Sequence, residues 1–140
     1  MRSDHAKRNS MRESDLALRS IAMPAFANSH GDIFGGWLLS QMDLAGGSVA
    51  TRRAKGRVVT VAITEMTFRH PVLVEDEVSC YAQIVKVGRT SITVKINAFV
   101  RRGRTAEKIE VTEGVFTYVT IDSKGKPRPV DKKSSRITSL

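Results

Sequence analysis

The run from Ser91 to Val100 has the cleanest alternation of apolar and polar residues in the chain, with Phe99 the one apolar residue on the polar side, and it places Ile92, Val94, Ile96, Ala98 and Val100 on one side. A period of two marks a strand that buries one face. A similar run, Glu77 to Val87, precedes it across a tight Gly88-Arg89 turn. Another, Lys108 to Ile121, follows a basic loop, Arg101 to Thr105, that contains Gly103; within it Val111, Val115, Val119 and Ile121 fall in phase. Parallel strands need a crossover of about a dozen residues or more, so these short connections predict an antiparallel meander. Its apolar face requires a cover. Gly35 to about Ala54 can supply one, because Leu38, Met42, Ala45 and Val49 form a single helical stripe. The expected class is therefore α+β: one long helix against an antiparallel sheet of about five strands.

The other elements follow from local chemistry. Leu16 to Met23 reads as a short strand ended by Pro24, and residues 24–34 as a polar loop. Gly46 and Gly47 each lower helix propensity by about 1 kcal/mol relative to alanine, which points to a sheet packed close against the helix backbone. Arg52, Arg53 and Lys55 place cations at the negative helix end, with Gly56 as the expected C-cap. Val58 to Phe68 is a further strand, ended by Arg69-His70-Pro71. Val59, Val61 and Ile63 share one face of it and Met66 and Phe68 the other, so a bulge or sharp bend is expected near Thr64.

With 140 residues the chain reads as one domain: a flexible polar segment 1–15, a folded body 16–122 and a basic tail 123–140. No apolar run approaches the roughly 20 residues that span a bilayer, and the N-terminus lacks the apolar core of a secretory signal. The single cysteine, Cys80, sits in a strand pattern and reads as a buried, inert thiol; a reducing, cytoplasmic setting fits. The net charge of +9 is uneven. Residues 16–122 carry thirteen Lys/Arg against ten acids, whereas residues 123–140 carry six against one. More than half of the excess lies in the tail, which has too little apolar content to offset ordering and is expected to be disordered. Loose attraction to polyanions follows from such a tail, but no aromatic interleaving or zinc-finger spacing supports specific nucleic-acid recognition. The scattered histidines and lone cysteine give no metal-ligand spacing, and no dinucleotide or phosphate-loop fingerprint is present.

The chemistry-bearing residues concentrate between Asn28 and Asp43. Gly35 and Gly36 open the helix, where unpaired amides and the positive dipole end face a developing negative charge. Asp43 lies two turns further on, sharing a face with Gly36, Leu39, Gly47 and Ala50. On so apolar a face a carboxylate is suited to act as a base or nucleophile. These are two halves of an acyl-transfer site. Asn28 is placed to hold water or a carbonyl oxygen, or to form an Asx-turn. His30 fits a structural or solvated role better than a base, and Asp32 a helix cap or loop contact. Ser40 lacks the setting of a serine nucleophile. Among cations, Arg89 in its turn with Thr90 and Ser91 is best placed for phosphate. Arg57, Lys86, Arg101, Arg102 and Arg104 are weaker candidates.

In order along the chain stand Ala22-Met23-Pro24, Asn28, Gly31-Asp32-Ile33-Phe34-Gly35-Gly36-Trp37, Ser40-Gln41-Met42-Asp43-Leu44-Ala45-Gly46, Arg57-Val58-Val59-Thr60-Val61, Met66-Thr67-Phe68, Pro71-Val72, Val87-Gly88-Arg89-Thr90-Ser91 and Val115-Phe116-Thr117-Tyr118-Val119. In this order and spacing the chain resembles the hotdog-fold acyl-CoA thioesterases of the YciA-type bacterial branch. The resemblance spans roughly residues 21–121. It implies a helix wrapped by an antiparallel sheet, and a homodimer with sheets joined edge to edge, commonly assembled as a hexamer. It also implies active sites at the dimer interface and hydrolysis of acyl-CoA with water and no cofactor. It implies Asp43 as the catalytic carboxylate and Gly35 and Gly36 as the groups that polarise the carbonyl; Asn28 joins them in the candidate catalytic set. Arg89, Thr90, Ser91, His30, Phe34 and Arg57 form the candidate substrate and CoA contacts. Two departures stand out. His30 replaces a common second Asn, and Glu75-Asp76 replaces a common Gly-Asp, which suggests a different turn geometry there. The competing readings are a non-catalytic acyl-CoA sensor and a hotdog dehydratase or hydratase; neither His30 nor His70 sits in a proton-shuttling motif for the latter.

Overall fold

The computed structural model of the protein describes residues 11–131. A 3-10 turn, Glu13–Asp15, leads into β1 (Leu16–Ile21), and a second, Pro24–Phe26, interrupts the polar loop. The helix α1 (Gly35–Ala54) follows, then β2 (Val58–Phe68), β3 (Glu77–Val87), β4 (Ser91–Arg101) and β5 (Lys108–Thr120). The sheet order is β1-β3-β4-β5-β2, with every pair antiparallel. The last three strands form the expected meander. β1 and β2 add to its two sides, and α1 lies across the face toward which β4 points Ile92, Val94, Ile96, Ala98 and Val100. All five are fully buried, together with Met42, Ala45 and Ala50 of the helix. The isoleucine, valine and methionine side chains among them each contribute roughly 1.5–3 kcal/mol on full burial, and the alanines let the helix approach, so this layer holds the helix in place.

Three sequence expectations are corrected in the strands and turns. In β5 Val111 is buried as expected, and Ile121 just beyond it, but the other buried residues are Thr112, Gly114, Phe116, Tyr118 and Thr120, whereas Val115 and Val119 are only half-buried on the opposite face. The valine phase misleads because aromatic, hydroxyl and glycine residues fill the helix-facing side. In β2, pairing with β5 slips between Thr60 and Ala62 and again between Thr64 and Thr67. The second slip lies where a bulge was expected and holds Glu65 at φ 51. The first was not expected. It sets Val59 opposite Val119 and Ile63 opposite Phe116, so these residues point to opposite faces. Thirdly, Glu75 adopts φ 77 and keeps the left-handed conformation that glycine would favour. Neighbouring bonds impose it. Glu75 N donates to Ala22 O at 2.6 Å, Asp76 N to Leu73 O at 3.0 Å and Ala22 N to Asp76 O at 2.9 Å. The Asp76 carboxylate is buried, accepts Leu73 N at 2.8 Å and receives both Nε and Nη2 of Arg102 at 2.9 Å.

The tail also departs from expectation, because residues 123–131 pack onto the body rather than being disordered. Asp122 Oδ1 accepts the amides of Lys124 and Lys126, Ile121 bridges to Pro127, and Val130 is buried with its amide on Arg89 O. Arg128 Nη2 donates to Ala54 O at 2.9 Å and so caps the helix C-terminus. The left-handed C-cap is Lys55 (φ 56), not Gly56. At Gly56 a Cβ would overlap the Arg128 guanidinium and push it from its present place. Composition missed this strap because specific hydrogen bonds, not apolar area, hold most of it. Residues 1–10 of the expected flexible segment and 132–140 of the expected disordered tail lie outside the described residues. No helix among the described residues is long and apolar enough to cross a membrane.

Candidate active site

Asp43 sits at mid-helix, half-buried, on the side of α1 that faces β2 and β5. Thr60 Oγ1 donates to Asp43 Oδ1 at 2.7 Å. The Tyr118 hydroxyl reaches the same Oδ1 at 3.1 Å and the Asp43 carbonyl oxygen at 2.9 Å. Thr60 and Tyr118 are direct partners in the β2–β5 register, which brings both hydroxyls to one carboxylate. Burial, and then the neighbouring carboxylate, push the Tyr118 phenol well above its ordinary range, so it stays a proton donor. Among the described residues nothing donates to Oδ2. The carboxylate is thus gripped by one oxygen and open at the other. The expected apolar surround is corrected as well. Of Gly36, Leu39, Gly47 and Ala50, only Gly47 lines the cleft beside Asp43; Ala50 is in the core.

That cleft has a volume of about 630 Å³ and is lined by Asp43, Leu44, Gly47, Ser48, Thr51 and Arg52 of α1 with Val58, Thr60 and Tyr118 of the sheet. It runs from the carboxylate toward the cationic C-terminal end of the helix. The close helix–sheet approach inferred from the glycine pair is present at Gly46, where a Cβ would overlap the Tyr118 hydroxyl and lie 2.6 Å from Ile96 Cδ1.

At the other end of α1, Phe34 is the N-cap and provides no side-chain cap, so Asp32 does not cap the helix. Asp32 serves the loop through its backbone, which bridges to Leu73 and accepts Asn28 N. Trp37 N and Leu38 N both point to Phe34 O, and among the described residues the amides of Gly35 and Gly36 have no acceptor. Both glycines are exposed, and a Cβ on either would meet nothing within 4 Å. Asn28 forms the Asx-turn, its Oδ1 accepting His30 N at 2.8 Å and Asp32 N at 3.1 Å. His30 is exposed, as is Phe34 at 54%. Ser40 Oγ donates to Trp37 O within the helix. A helix rises about 1.5 Å per residue, so Gly35 and Gly36 lie roughly 10–12 Å from Asp43 of the same chain. The expectation that one segment unites both halves of a site is therefore corrected, because a single chain cannot bring them to one carbonyl group.

The structure gathers several CoA candidates at one end of the sheet. Thr90 O accepts Thr120 N at 2.9 Å, Arg89 O accepts Val130 N at 2.8 Å and Arg57 O accepts Ile121 N at 3.0 Å. Arg57 is three residues before Thr60, about 10 Å along a strand, and directly precedes Val58 of the cleft wall. Arg57 and Arg89 are exposed, whereas Ser91 is half-buried against Gly88. Two weaker candidates are committed elsewhere: Arg102 binds Asp76, and Arg101 Nε lies 3.2 Å from Glu77. Cys80 is buried, and desolvation pushes its thiol up to about 12. Among the described residues no group of three or more His, Cys, Asp or Glu is placed to hold a metal ion.

Sequence reasoning missed Thr60 and Tyr118 as partners of Asp43. Both lie inside the motif segments noted above, but the signal, two hydroxyls at facing inward positions, requires the register through a bulged strand.

Comparison with known proteins supplies the class. Residues 30–107 match the thioesterase superfamily model. The chain belongs to the thioesterase superfamily. It is 49% identical over 121 residues to the acyl-CoA thioester hydrolase YciA of Salmonella typhimurium, covering 84% of this chain and 91% of that protein. The hexameric thioesterase y2039 of Yersinia pestis superposes with a TM-score of 0.79 at 50% identity, over 85% of this chain and 97% of that one. Cj0915 of Campylobacter jejuni, a hexameric hotdog fold thioesterase, superposes with a TM-score of 0.81 at 38% identity, over 92% and 100% of the two chains. The helix and five-stranded antiparallel sheet are thus a hotdog fold.

Proposed function

We propose that the protein hydrolyses acyl-CoA thioesters to a free carboxylic acid and CoA, with Asp43 as general base or nucleophile. The observation that carries this reading is the Asp43 carboxylate at the wall of the cleft, held through Oδ1 by two hydroxyls and open at Oδ2. Either Oδ2 takes a proton from water as that water attacks the thioester carbon, or it attacks the carbon itself and the resulting anhydride is hydrolysed. The leaving group is a thiolate, which needs no strong general acid.

Oxyanion stabilisation falls to the amides of Gly35 and Gly36, which have no acceptor among the described residues and carry no side chain to block approach. A missing donor of this kind typically costs about 3 kcal/mol of transition-state stabilisation. Since one chain separates these amides from its own Asp43, the pair comes from a second copy, with Asn28 in the loop beside them. β2 supplies the joint. It ends the sheet, and Val59, Val61, Ile63 and Phe68 are exposed along it. A trimer of such edge-paired dimers would match the hexameric relatives. Arg57, Arg89 and Thr90 lie beyond the cleft wall, where guanidinium donors suit the phosphates of CoA; His30 and Phe34 are exposed in the loop and at the N-cap beside the paired glycines, open to substrate.

The test is hydrolysis of acyl-CoA esters of graded chain length, followed with a thiol-trapping dye, beside Asp43→Asn. Turnover by the native protein and a loss of about 10²–10⁴-fold in the variant, at unchanged oligomer size, are expected. Tight binding without turnover would replace this reading with that of an acyl-CoA sensor.

A further inference from the structure

Resting on that hydrolase reading, we infer that Tyr118 is a positioning residue, whose hydroxyl locks the Asp43 side chain so that Oδ2 faces the substrate. The hydroxyl is placed between two acceptors of one residue, Asp43 O at 2.9 Å and Asp43 Oδ1 at 3.1 Å. The carbonyl does not need it, because as a helix carbonyl it receives the amide four residues on. The contact that is not redundant is the one to the carboxylate. With Thr60 on the same oxygen, it selects one side-chain rotation and assigns the two oxygens different tasks.

Gly46 belongs to the same device. Its missing Cβ is the space the Tyr118 hydroxyl occupies. A side chain at 46 has to displace both the phenol hydroxyl and the Ile96 Cδ1 methyl, and so moves the phenol off the carboxylate while leaving the phenol itself in the protein. The ring of Tyr118 is fully buried beside Phe116, with centroids 6.5 Å apart. The ring therefore has a packing role that phenylalanine would retain, and the hydroxyl can be removed separately from it.

The experiment compares Tyr118→Phe, Gly46→Ala and the double variant, as full-length oligomers, at saturating and at limiting acyl-CoA. Tyr118→Phe is expected to lower kcat about ten- to a hundredfold with KM within about twofold, as loss of alignment does when substrate contacts persist. Gly46→Ala, which keeps the hydroxyl but displaces it, should give a similar kcat loss. The double variant should be no slower than the worse single one, because both remove one interaction. A merely structural tyrosine would predict changes that follow the unfolding midpoint and add in the double variant. A Tyr118→Phe enzyme with kcat within about twofold of native, or additive losses, overturns the proposal while Asp43→Asn stays inactive. Full turnover by Asp43→Asn overturns the hydrolase reading and this one together.

Discussion

Glu75→Gly should stabilise the protein. Glu75 is held at φ 77 at an exposed position where its side chain makes no hydrogen bond or ion pair among the described residues. A non-glycine residue in the left-handed region costs roughly 1–2 kcal/mol, because Cβ crowds the carbonyl oxygen. Glycine removes that crowding but adds conformational freedom to the unfolded chain, worth about 0.4–1 kcal/mol in the opposite sense. The difference leaves a net gain of roughly 0.5–1 kcal/mol. The bonds that impose the turn run through backbone atoms of residues 22, 73, 75 and 76 and through Asp76, so all survive the change. In a domain of this size the gain corresponds to a rise of about 2–4 °C in Tm. Thermal and denaturant unfolding at a fixed protomer concentration would measure it, since oligomer stability depends on concentration. Glu75→Ala serves as control. It keeps a Cβ and should change Tm little. A Glu75→Gly protein equal to or less stable than native, with the slope of denaturant unfolding unchanged, would refute the strain argument.

Arg128→Ala should destabilise the protein by about 1 kcal/mol, because it leaves the Ala54 carbonyl at the helix end without its donor. Denaturant unfolding reads the loss, and Arg128→Lys should restore little of it, because an ammonium cannot span Ala54 and Pro129 as the guanidinium does. Cys80 should resist iodoacetamide at neutral pH in the native protein and react once it is unfolded; mass spectrometry distinguishes the two. Its thiol is raised by burial to about 12 from 9.0. Its contribution to stability is therefore fully present below about pH 9 and is lost progressively as pH rises toward 12, since only the unfolded chain ionises in that interval. A native protein that loses no stability between those values would show the thiol to be better solvated than its burial implies.

The strands and the helix were legible because burial on one face leaves a periodic trace. Residues 91–100 alternate cleanly, and α1 begins and ends where the glycine pair and the cationic turn suggested. β5 was legible as a strand but not in its phase, because its helix-facing side carries Thr112, Gly114, Tyr118 and Thr120, whose polar atoms or missing side chains are accounted for by neighbours no linear pattern names. The same misphasing concealed Tyr118. Asp43 stood out as a lone carboxylate within a glycine-bearing helix, but its two donors depend on a register that slips twice in β2. The folded strap at 122–131 was illegible for a related reason. Its order rests on Asp122, Arg128 and Val130 each meeting one distant group, and composition averages such residues away.

The two slips in β2 bear on what an open, greasy margin does to a protein's behaviour at high concentration. An uninterrupted strand of this kind is a template on which copies add without limit. Here the extra residue at Val61 and the left-handed Glu65 divide the margin into short pieces, among them Val58–Thr60 and Ala62–Thr64. A shifted copy would place bulge against ladder and lose its hydrogen bonds. A neighbour keeps its hydrogen bonds only where its own interruptions coincide with these, so the interruptions work against unlimited growth into fibres.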